Sequence, residues 1–272
     1  MEAWDRANEA AATAGVRLGP LMTVEDADRV LDVMIATWGN HQLLPTEMIV
    51  ALAESGNTPF GAWDGSELIG YVLGWAGVTP EDGLHMHSHM LASRPERRHE
   101  GVGFALKLAQ RALCLDRGIS VVRWTFDPLL SANAHFNLAK LGATADRFLR
   151  SFYGEMTDVL NAGERSDRLL VRWDLQDPIP ESPASPVDGW EVLGRRGDDP
   201  DMPGPTEVRD PDEPVALIRI PRDYHRLRER DRSLANAWRD ATALALDRCF
   251  DAGLIVSGFT GDSTYVLTAG AS

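Results

Sequence analysis

The sequence predicts an α/β fold in the first part of the chain and a smaller α/β segment after it. Three observations predict this class. Apolar residues recur at helical spacing in several segments, runs rich in β-branched and aromatic residues alternate with those segments, and turn signals separate the two kinds. With 272 residues, of which 44% are hydrophobic and 25% charged, the composition is ordinary for a globular protein and excludes a disordered or collagen-like chain.

Two helices are predicted near the N-terminus, after an Ala-rich stretch of weak pattern that leads into a short strand at 16–18. The first helix is expected over about 23–37, because Thr23 is a candidate N-cap with Asp26 three residues later. A proline in the first turn favours a second helix over about 45–54.

A hairpin and a second helix–strand alternation are predicted next. Asp64-Gly65 lies between two apolar runs, which is a strong hairpin signal. A glycine typically follows the last residue of a helix, and Gly142 has that place. The elements expected in this part are strands at 60–63, 68–78, 84–92 and 119–126, and helices at 101–117 and 133–141.

The composition changes sharply between Asp177 and Pro214, where nine of the 16 prolines lie. We interpret this stretch as a linker or a long surface loop. It leads us to expect a first domain over 1–160 and a C-terminal α/β extension over 161–272. The elements expected after the stretch are a strand at 215–220, a long helix at 223–251, and strands at 254–259 and 264–267.

Charge and cysteine content exclude several classes of protein. The chain has 27 basic and 41 acidic residues, a formal net charge of −14, which disfavours broad nucleic-acid binding because such binding neutralises phosphates with basic residues. No apolar run reaches the ~20 residues that a membrane-spanning helix needs, and the first residues do not form a secretion signal. Cys114 and Cys249 are too few and too far apart for a disulfide framework or a zinc knuckle. We therefore expect a cytoplasmic protein with two reduced thiols.

The turn between a predicted strand and the helix at 101–117 has the pattern of a phosphate site. Gly101 and Gly103 stand at the start of that helix, where backbone N–H groups have no intrahelical partners and the helix dipole favours negative charge. Glycines allow a phosphate to approach the main chain closely. Arg94, Arg97 and Arg98 add positive charge. The turn is a candidate pyrophosphate cradle, with a plain glycine-bearing turn as the alternative; the dinucleotide pattern and the P-loop are excluded because each lacks a required residue.

The segment Arg98-His99-Glu100-Gly101-Val102-Gly103 resembles the Arg/Gln-x-x-Gly-x-Gly/Ala signature of the GNAT (GCN5-related) N-acyltransferase superfamily. The order of predicted elements is similar too, over about Val16 to Tyr153, and the segments 124–129 and 133–137 resemble a long bacterial branch of predicted acetyltransferases. The resemblance implies the GNAT fold, a mixed and splayed central sheet flanked by helices, and acyl-CoA as co-substrate.

The resemblance also implies which residues bind the cofactor. Main-chain amides from Arg98 through Phe104 would hold the pyrophosphate, the strand residues before them would run beside the pantetheine arm, and one asparagine would meet the cofactor between two splayed strands. These residues are Leu91, Ser93, Arg98, His99, Gly101, Val102, Gly103, Phe104 and Asn133. Three positions depart from the family's pattern: Ser93 replaces a branched aliphatic residue, Ala143 an aromatic one, and Leu138 the tyrosine that often serves as general acid.

Candidate catalytic residues follow from the need for a base near neutral pH, most readily a histidine with a pKa of ~6.5. His85, His87 and His89 alternate along a predicted strand, so we expect them on one face, with the intervening Met86, Ser88 and Met90 on the other. His89 is favoured as the base because it is closest to the cofactor end of the strand. Tyr153, after the last strand of the first part, is the candidate acid. Purely structural roles for both residues remain open.

The function expected is transfer of an acetyl or other short acyl group from acyl-CoA to a primary amine of a small molecule or amino acid, by direct attack. Succinyl-CoA is the alternative donor, and a homodimer is one expected assembly. Two rivals remain: an acyl-CoA-binding regulatory protein without catalysis, and a metal-binding protein that uses the three histidines. These span ~13 Å, so at most two could share an ion, and Asp127 is a candidate further ligand. No metal, nucleic-acid or membrane partner is expected.

Five arginines crowd the predicted start of the long helix, an unfavourable place for cations given the helix dipole. One hypothesis is that an arginine among them recognises a carboxylate at the active site. The alternative is a solvated face with pairs to neighbouring acids such as Glu229 and Asp231. The arginines are Arg222, Arg226, Arg228, Arg230 and Arg232.

Overall fold

A mixed five-stranded sheet forms the centre of the N-terminal part of the computed structural model. The structure describes residues 3–39, 43–98, 100–154, 165–181 and 187–270. These divide into two compact units: unit 1 holds the described residues up to Trp124, and unit 2 those from Thr125. The sheet of unit 1 comprises β1 (Arg17–Pro20), β2 (Phe60–Asp64), β3 (Glu67–Thr79), β4 (Gly83–Ser93) and β5 (Val121–Phe126). Neighbours follow in that order; β4 and β5 are parallel and the other pairs antiparallel.

Helices cover both faces of this sheet. They are α1 (Ala3–Thr13), α2 (Val24–Trp38), α3 (Thr46–Glu54) and α4 (Val102–Asp116). Apolar residues of α2 and α3 pack with Tyr71 and Leu73 of β3 on one face. The neighbouring Gly70 faces α4 on the other, where an added Cβ would lie 3.1 Å from Cγ1 of Val102. The predicted cap is confirmed, since Thr23 and Asp26 form a capping box at the start of α2.

The helix α1 lies in the stretch for which the sequence predicted little pattern. Its buried residues, Ala7 and Ala11, are small and only weakly hydrophobic, so they give little amphipathic signal. Alanine has the highest helix propensity, however, and small side chains allow close packing of two helices. The helix packs against α4, and its Trp4 indole donates to Asp116 at 2.7 Å.

Unit 2 contains six further strands that pair in mixed directions. They are β6 (Thr144–Leu149), β7 (Arg168–Asp174), β8 (Trp190–Leu193), β11 (Val215–Arg219), β12 (Leu254–Thr260) and β13 (Thr264–Ala269), in the order β7-β6-β12-β13-β11-β8. A separate antiparallel pair is formed by two short strands of two residues each, β9 (Arg195–Arg196) and β10 (Gly204–Pro205). The helices are α5 (Ser131–Ala134), a following π-helical turn (His135–Lys140), α6 (Tyr224–Arg230) and α7 (Arg232–Asp251).

Two expectations for the C-terminal part were wrong. The stretch 177–214 is not a plain linker, because it supplies β8, β9 and β10, and the Trp238 indole donates to the Pro203 carbonyl at 2.7 Å. The long helix is two helices, because Asp231 ends α6 and caps α7 by accepting a hydrogen bond from the Leu234 amide at 2.9 Å. An aspartate inside an apolar periodicity is an N-cap signal that the sequence interpretation passed over.

The predicted fold class is confirmed: the described residues form an α/β protein with mixed sheets flanked by helices. The predicted helix near 133–141 is present but begins at Ser131, and Gly142 follows it with φ of +73°. No helix among the described residues has the length and apolar character to cross a bilayer. The division into domains at 160/161 stays a prediction.

Candidate active site

The parallel strands β4 and β5 separate within unit 1. Their register contains two pairs, Met86 with Val122 and His87 with Arg123. Beyond His87, β4 continues to Ser93 and is paired with β3 along this length. From Ser88 onward, the backbone N–H and C=O groups on the edge of β4 that faces β5 are therefore not paired with β5. The two strands are thus unpaired with each other toward their carboxyl ends, which leaves an opening between them.

A β-bulge lies where the strands separate. Leu73 of β3 pairs with Met90, and the next residue, Gly74, pairs with Ser88, so His89 is an extra residue on β4. A bulge leaves one residue outside the ladder and changes which face the following residues occupy. Met90 consequently packs on the α2/α3 face. The expected strict alternation, with Met90 opposite the histidines, was wrong because the extra residue reverses it.

Gly74 makes the bulge sterically feasible. An added Cβ at this position would lie 2.3 Å from the His87 carbonyl oxygen and 3.0 Å from Cα of Ser88. Both are backbone atoms, so no side-chain rotation could relieve the contact. The glycine therefore allows β3 to approach β4 closely at the point where the extra residue is inserted.

Three rings form a cluster on the α2/α3 face beside the bulge. The Trp75 ring centroid lies 5.0 Å from that of His87 and 4.7 Å from that of His89, and the two imidazoles are 5.8 Å apart. His89 is the exposed member. Partial desolvation lowers the pKa of His89 below its ordinary value of 6.5. Burial, followed by the neighbouring His89, His85 and Lys107, lowers the pKa of His87 to about 4. Both imidazoles are thus mainly neutral at pH 7, the form that can accept a proton.

The start of α4 has free donor capacity. Its N-cap residue is Gly101, with φ of +90°, and no side chain caps the first turn. At the starts of α2, α6 and α7, by contrast, side chains of Thr23, Asp223 and Asp231 accept hydrogen bonds from the backbone. The first turn of α4 also contains no acidic residue. An uncapped helix start of this kind favours an anion.

The arginines before this helix have different roles. Arg97 pairs with Asp64 at 2.9 Å and Glu100 at 2.5 Å and donates to the Ala14 carbonyl at 3.3 Å, so it holds the turn in place. Arg94 is likewise engaged by Glu67 at 3.1 Å and the Leu68 carbonyl at 3.0 Å. Arg98 is exposed and, among the described residues, has no acid within salt-bridge distance. Of the three cations expected to serve an anion, Arg98 is the available one.

The other implied cofactor residues of unit 1 lie along the same path. Leu91 and Ser93 are half-buried on the stretch of β4 beyond its pairing with β5. Val102 is buried, so that its backbone rather than its side chain is available, and Phe104 is half-buried in the first turn of α4. His99 lies outside the described residues.

Two predicted residues belong to unit 2. Asn133 is exposed on α5. Tyr153 is exposed, and its hydroxyl lies 3.0 Å from Oγ1 of Thr125, with the Arg168 guanidinium 5.5 Å from its ring centroid. Leu138, the position at which the resemblance implies a tyrosine, is only 3% exposed. The roles of Asn133 and Tyr153 stay predictions.

The break at Asp231 explains the positions of two arginines of the unit 2 cluster. Because α6 ends there, Arg228 and Arg230 lie in its last turn, where the dipole favours cations rather than opposing them. Arg226 pairs with Asp201 at 3.2 Å, and Arg230 approaches Asp199 at 4.0 Å, all half exposed. These contacts favour the solvated-face interpretation over a substrate-binding role.

Sequence reasoning missed two residues of the site. Trp75 pairs with His87 across the hairpin, and the hairpin register could have placed it there. Lys107 is the polar residue within the apolar run Phe104–Ala109, which was a signal for a buried amine. In the part of the chain that the structure describes, no group of three or more His, Cys, Asp or Glu side chains could hold a metal ion.

Solved structures similar to this chain are acetyltransferases of the GNAT superfamily. A protein from Desulfovibrio desulfuricans described as a GNAT-family acetyltransferase is 20% identical, with 59% of this chain and 99% of that one covered and a TM-score of 0.45. Naa20 of Chaetomium thermophilum, solved with a bisubstrate analogue, is 16% identical, with coverages of 61% and 93% and a TM-score of 0.49. The ribosomal-protein-S18-alanine N-acetyltransferase of Escherichia coli is 13% identical, with coverages of 61% and 97% and a TM-score of 0.48.

No protein-family model and no curated protein matches the chain. The similar structures are of the superfamily that the Arg98–Gly103 segment resembles. Because they are at most 20% identical and their TM-scores lie below 0.5, chemistry has to be inferred from the site of this chain itself.

Proposed function

We propose that this chain is a CoA-dependent N-acyltransferase that moves an acetyl or other short acyl group from acyl-CoA to a primary amine. One observation carries the proposal: the opening between β4 and β5 begins at a bulge, and an uncapped helix start follows the same strand. An extended thioester with a pyrophosphate at one end matches this arrangement. Its thioester end would lie at the bulge, and its pyrophosphate at the start of α4.

Binding of the donor would use main-chain groups. The amides at the start of α4, from Gly101 to Phe104, suit the pyrophosphate, because helix N–H groups and the dipole both favour phosphate oxygens. The exposed Arg98 adds a cation. The pantetheine arm contains two amides, which can pair with the unpaired edge of β4 as an added strand does. Leu91 and Ser93 lie on that edge.

The chemistry requires an oxyanion donor, a base and a leaving group. A bulge turns a backbone N–H out of the ladder, which suits it to donate to the thioester carbonyl as charge develops. His89, exposed and mainly neutral at pH 7, is the proposed base for the ammonium of the acceptor. The amine nitrogen attacks the thioester carbon, the C–S bond breaks, and the CoA thiolate takes a proton, for which Tyr153 is the proposed donor.

Direct attack is favoured over a covalent acyl-enzyme. Both cysteines are buried, and burial raises the pKa of Cys114 and of Cys249 to about 12. Neither thiol is therefore a thiolate near neutral pH, and the thiolate is the nucleophilic form. The net charge of −14 favours a small cationic amine or amino acid as acceptor over a polyanion. Succinyl-CoA remains the alternative donor.

A second candidate is a protein that binds acyl-CoA without catalysis. The specific observation that favours it is Leu138, a buried apolar residue where the superfamily usually has its proton donor. Thiol release from acetyl-CoA and from succinyl-CoA with a panel of amines separates the two. Release above the blank supports the transferase, whereas CoA binding without any release supports the binder.

The cradle is tested at Gly103, because Gly101 has a positive φ and a substitution there would strain the backbone by itself. Gly103→Glu is expected to weaken CoA binding at least ~100-fold, since it puts a carboxylate where the pyrophosphate would bind. Gly103→Ala, the matched control, should bind CoA as the wild type does and slightly favour the helix. Calorimetry measures both. Equal CoA affinity in folded Gly103→Glu protein would overturn the proposed donor site.

A further inference from the structure

A lysine lies buried beneath the point where β4 and β5 separate. Lys107, on α4, is 2% exposed. Its Nζ donates to Oγ of Ser88 at 3.1 Å and to Oε1 of Gln110 at 2.8 Å, and it lies 3.8 Å from the centroid of the Trp124 ring. A single ammonium thus contacts one helix and both parallel strands.

The position of each partner matters. Ser88 is the last paired residue of β4 before the extra residue His89, and Trp124 follows Arg123, the last paired residue of β5. Lys107 therefore contacts the two strands at the place where their pairing ends. It does so from the α4 face, opposite the face on which the rings of Trp75 and His89 lie.

The residue type is unusual for this chain. Among its 27 basic residues, Lys107 and Lys140 are the lysines and the rest are arginines. A buried ammonium is costly unless its hydrogen bonds are made, and burial lowers the pKa of Lys107 to about 7. A methionine of similar length would fill the same space without that cost. The compact lysine head, unlike a guanidinium, fits between a serine hydroxyl and an indole face.

We propose that Lys107 is a positioning residue of the acyl-transfer site: through Ser88 it fixes the backbone of the bulge, and through Trp124 it fixes the opening between β4 and β5. This role rests on the proposed function, because it concerns the thioester end of the same site. The pyrophosphate end, at the start of α4, does not depend on these contacts. Loss of the lysine should therefore reduce turnover rather than donor affinity.

The test uses four variants of the full chain: Lys107→Met, Ser88→Ala, the double variant, and Lys140→Met as the control that removes the exposed lysine. With acetyl-CoA and the best amine of the panel, we expect kcat of each site variant to fall ~10-fold to 100-fold, the usual effect of misplacing a catalytic group by a fraction of an ångström to 1 Å. The affinity for CoA by calorimetry should stay within about threefold, and Lys140→Met should match the wild type in both.

The double variant tests the route through Ser88. If Lys107 acts through that hydroxyl, the double variant should be no slower than the slower single one, because both remove the same link. Multiplied losses would contradict this route, and wild-type kcat in Lys107→Met would overturn the role altogether.

A spectroscopic measurement on the free protein keeps the proposal testable if one variant has too little activity to measure or folds poorly. The backbone amide signal of His89 in a ¹H–¹⁵N spectrum should shift in Lys107→Met and remain in place in Lys140→Met. An unmoved His89 amide in Lys107→Met would overturn the role. Wild-type protein that binds no CoA would overturn the proposed function and this role with it, whereas normal transfer by Lys107→Met overturns this role alone.

Discussion

His89 concentrates three properties that a general base needs. It is exposed, it is the residue that the bulge adds to β4, and partial desolvation lowers its pKa below 6.5. A lowered pKa keeps the imidazole neutral at pH 7, so the residue can accept a proton across the physiological range. Burial lowers the pKa of His87 to about 4, and its ring is half-buried beside Trp75, which suits it to support the neighbouring ring.

His89→Ala is expected to lower kcat/KM by ~10²–10⁴, the usual contribution of a positioned base. The acidic limb of the wild-type profile should have its midpoint below pH 6.5, because activity is lost as the neutral imidazole gains a proton, and the variant should lack that limb. His225→Ala, in unit 2, is the control. The measurement is kcat/KM of each protein from pH 5 to 9. If His89→Ala keeps the acidic limb of the wild-type profile, a group other than His89 causes that limb.

At the scale of elements, the hairpin of β3 and β4 carries the bulge on which the proposed acyl-transfer site depends. Gly74→Ala would put a Cβ within 2.3 Å of the His87 carbonyl oxygen. Because the contact is with backbone, the strands must move, at a cost of ~1–3 kcal/mol in the free energy of unfolding. Displacement of the bulge should also lower kcat.

The control is Gly77→Ala on the same strand. There an added Cβ would lie 2.8 Å from Nε2 of His85, which is a side-chain atom rather than backbone. In urea denaturation, Gly77→Ala should therefore lose less free energy of unfolding than Gly74→Ala loses. The turnover of Gly77→Ala should remain close to that of the wild type. Equal losses of stability in the two variants would show that the bulge does not depend on Gly74.

Elements were predictable from sequence where a local signal fixes them, as with the capping box of α2 and the Asp64-Gly65 turn of the β2–β3 hairpin. The bulge was not, because a one-residue shift depends on the fit between two strands and leaves no mark in the alternation of β4. The strand β8 was hidden for a related reason. Its flanking stretch is rich in proline, while its burial comes from long-range pairing with β11.

The candidate site was likewise predictable from sequence only in part. The glycines at the start of α4 could be identified because the need for a close approach to the backbone is visible in residue type. The partners of Lys107 could not, since Ser88 and Trp124 lie 19 and 17 positions away along the chain and meet it only through the packing of α4 on the sheet.

At the scale of the whole molecule, the net charge of −14 should act on the two proposed substrates in opposite directions. CoA is a polyanion, so the overall field repels it during its approach, although the start of α4 and Arg98 attract it at close range. A cationic amine is attracted by the same field. Salt screens long-range interactions between charges more strongly than contacts within a site.

The association rate of CoA should therefore rise several-fold between about 20 and 200 mM NaCl, because screening removes the long-range repulsion. The KM of an ammonium acceptor should rise over the same range, because screening weakens its attraction. Stopped-flow measurement of tryptophan fluorescence gives the first quantity and steady-state kinetics the second. Dephospho-CoA is the matched control: with one phosphate fewer it should show a weaker salt dependence than CoA. A CoA association rate that falls with salt would instead mean that the local field of Arg98 and α4 outweighs the charge of the whole chain during approach.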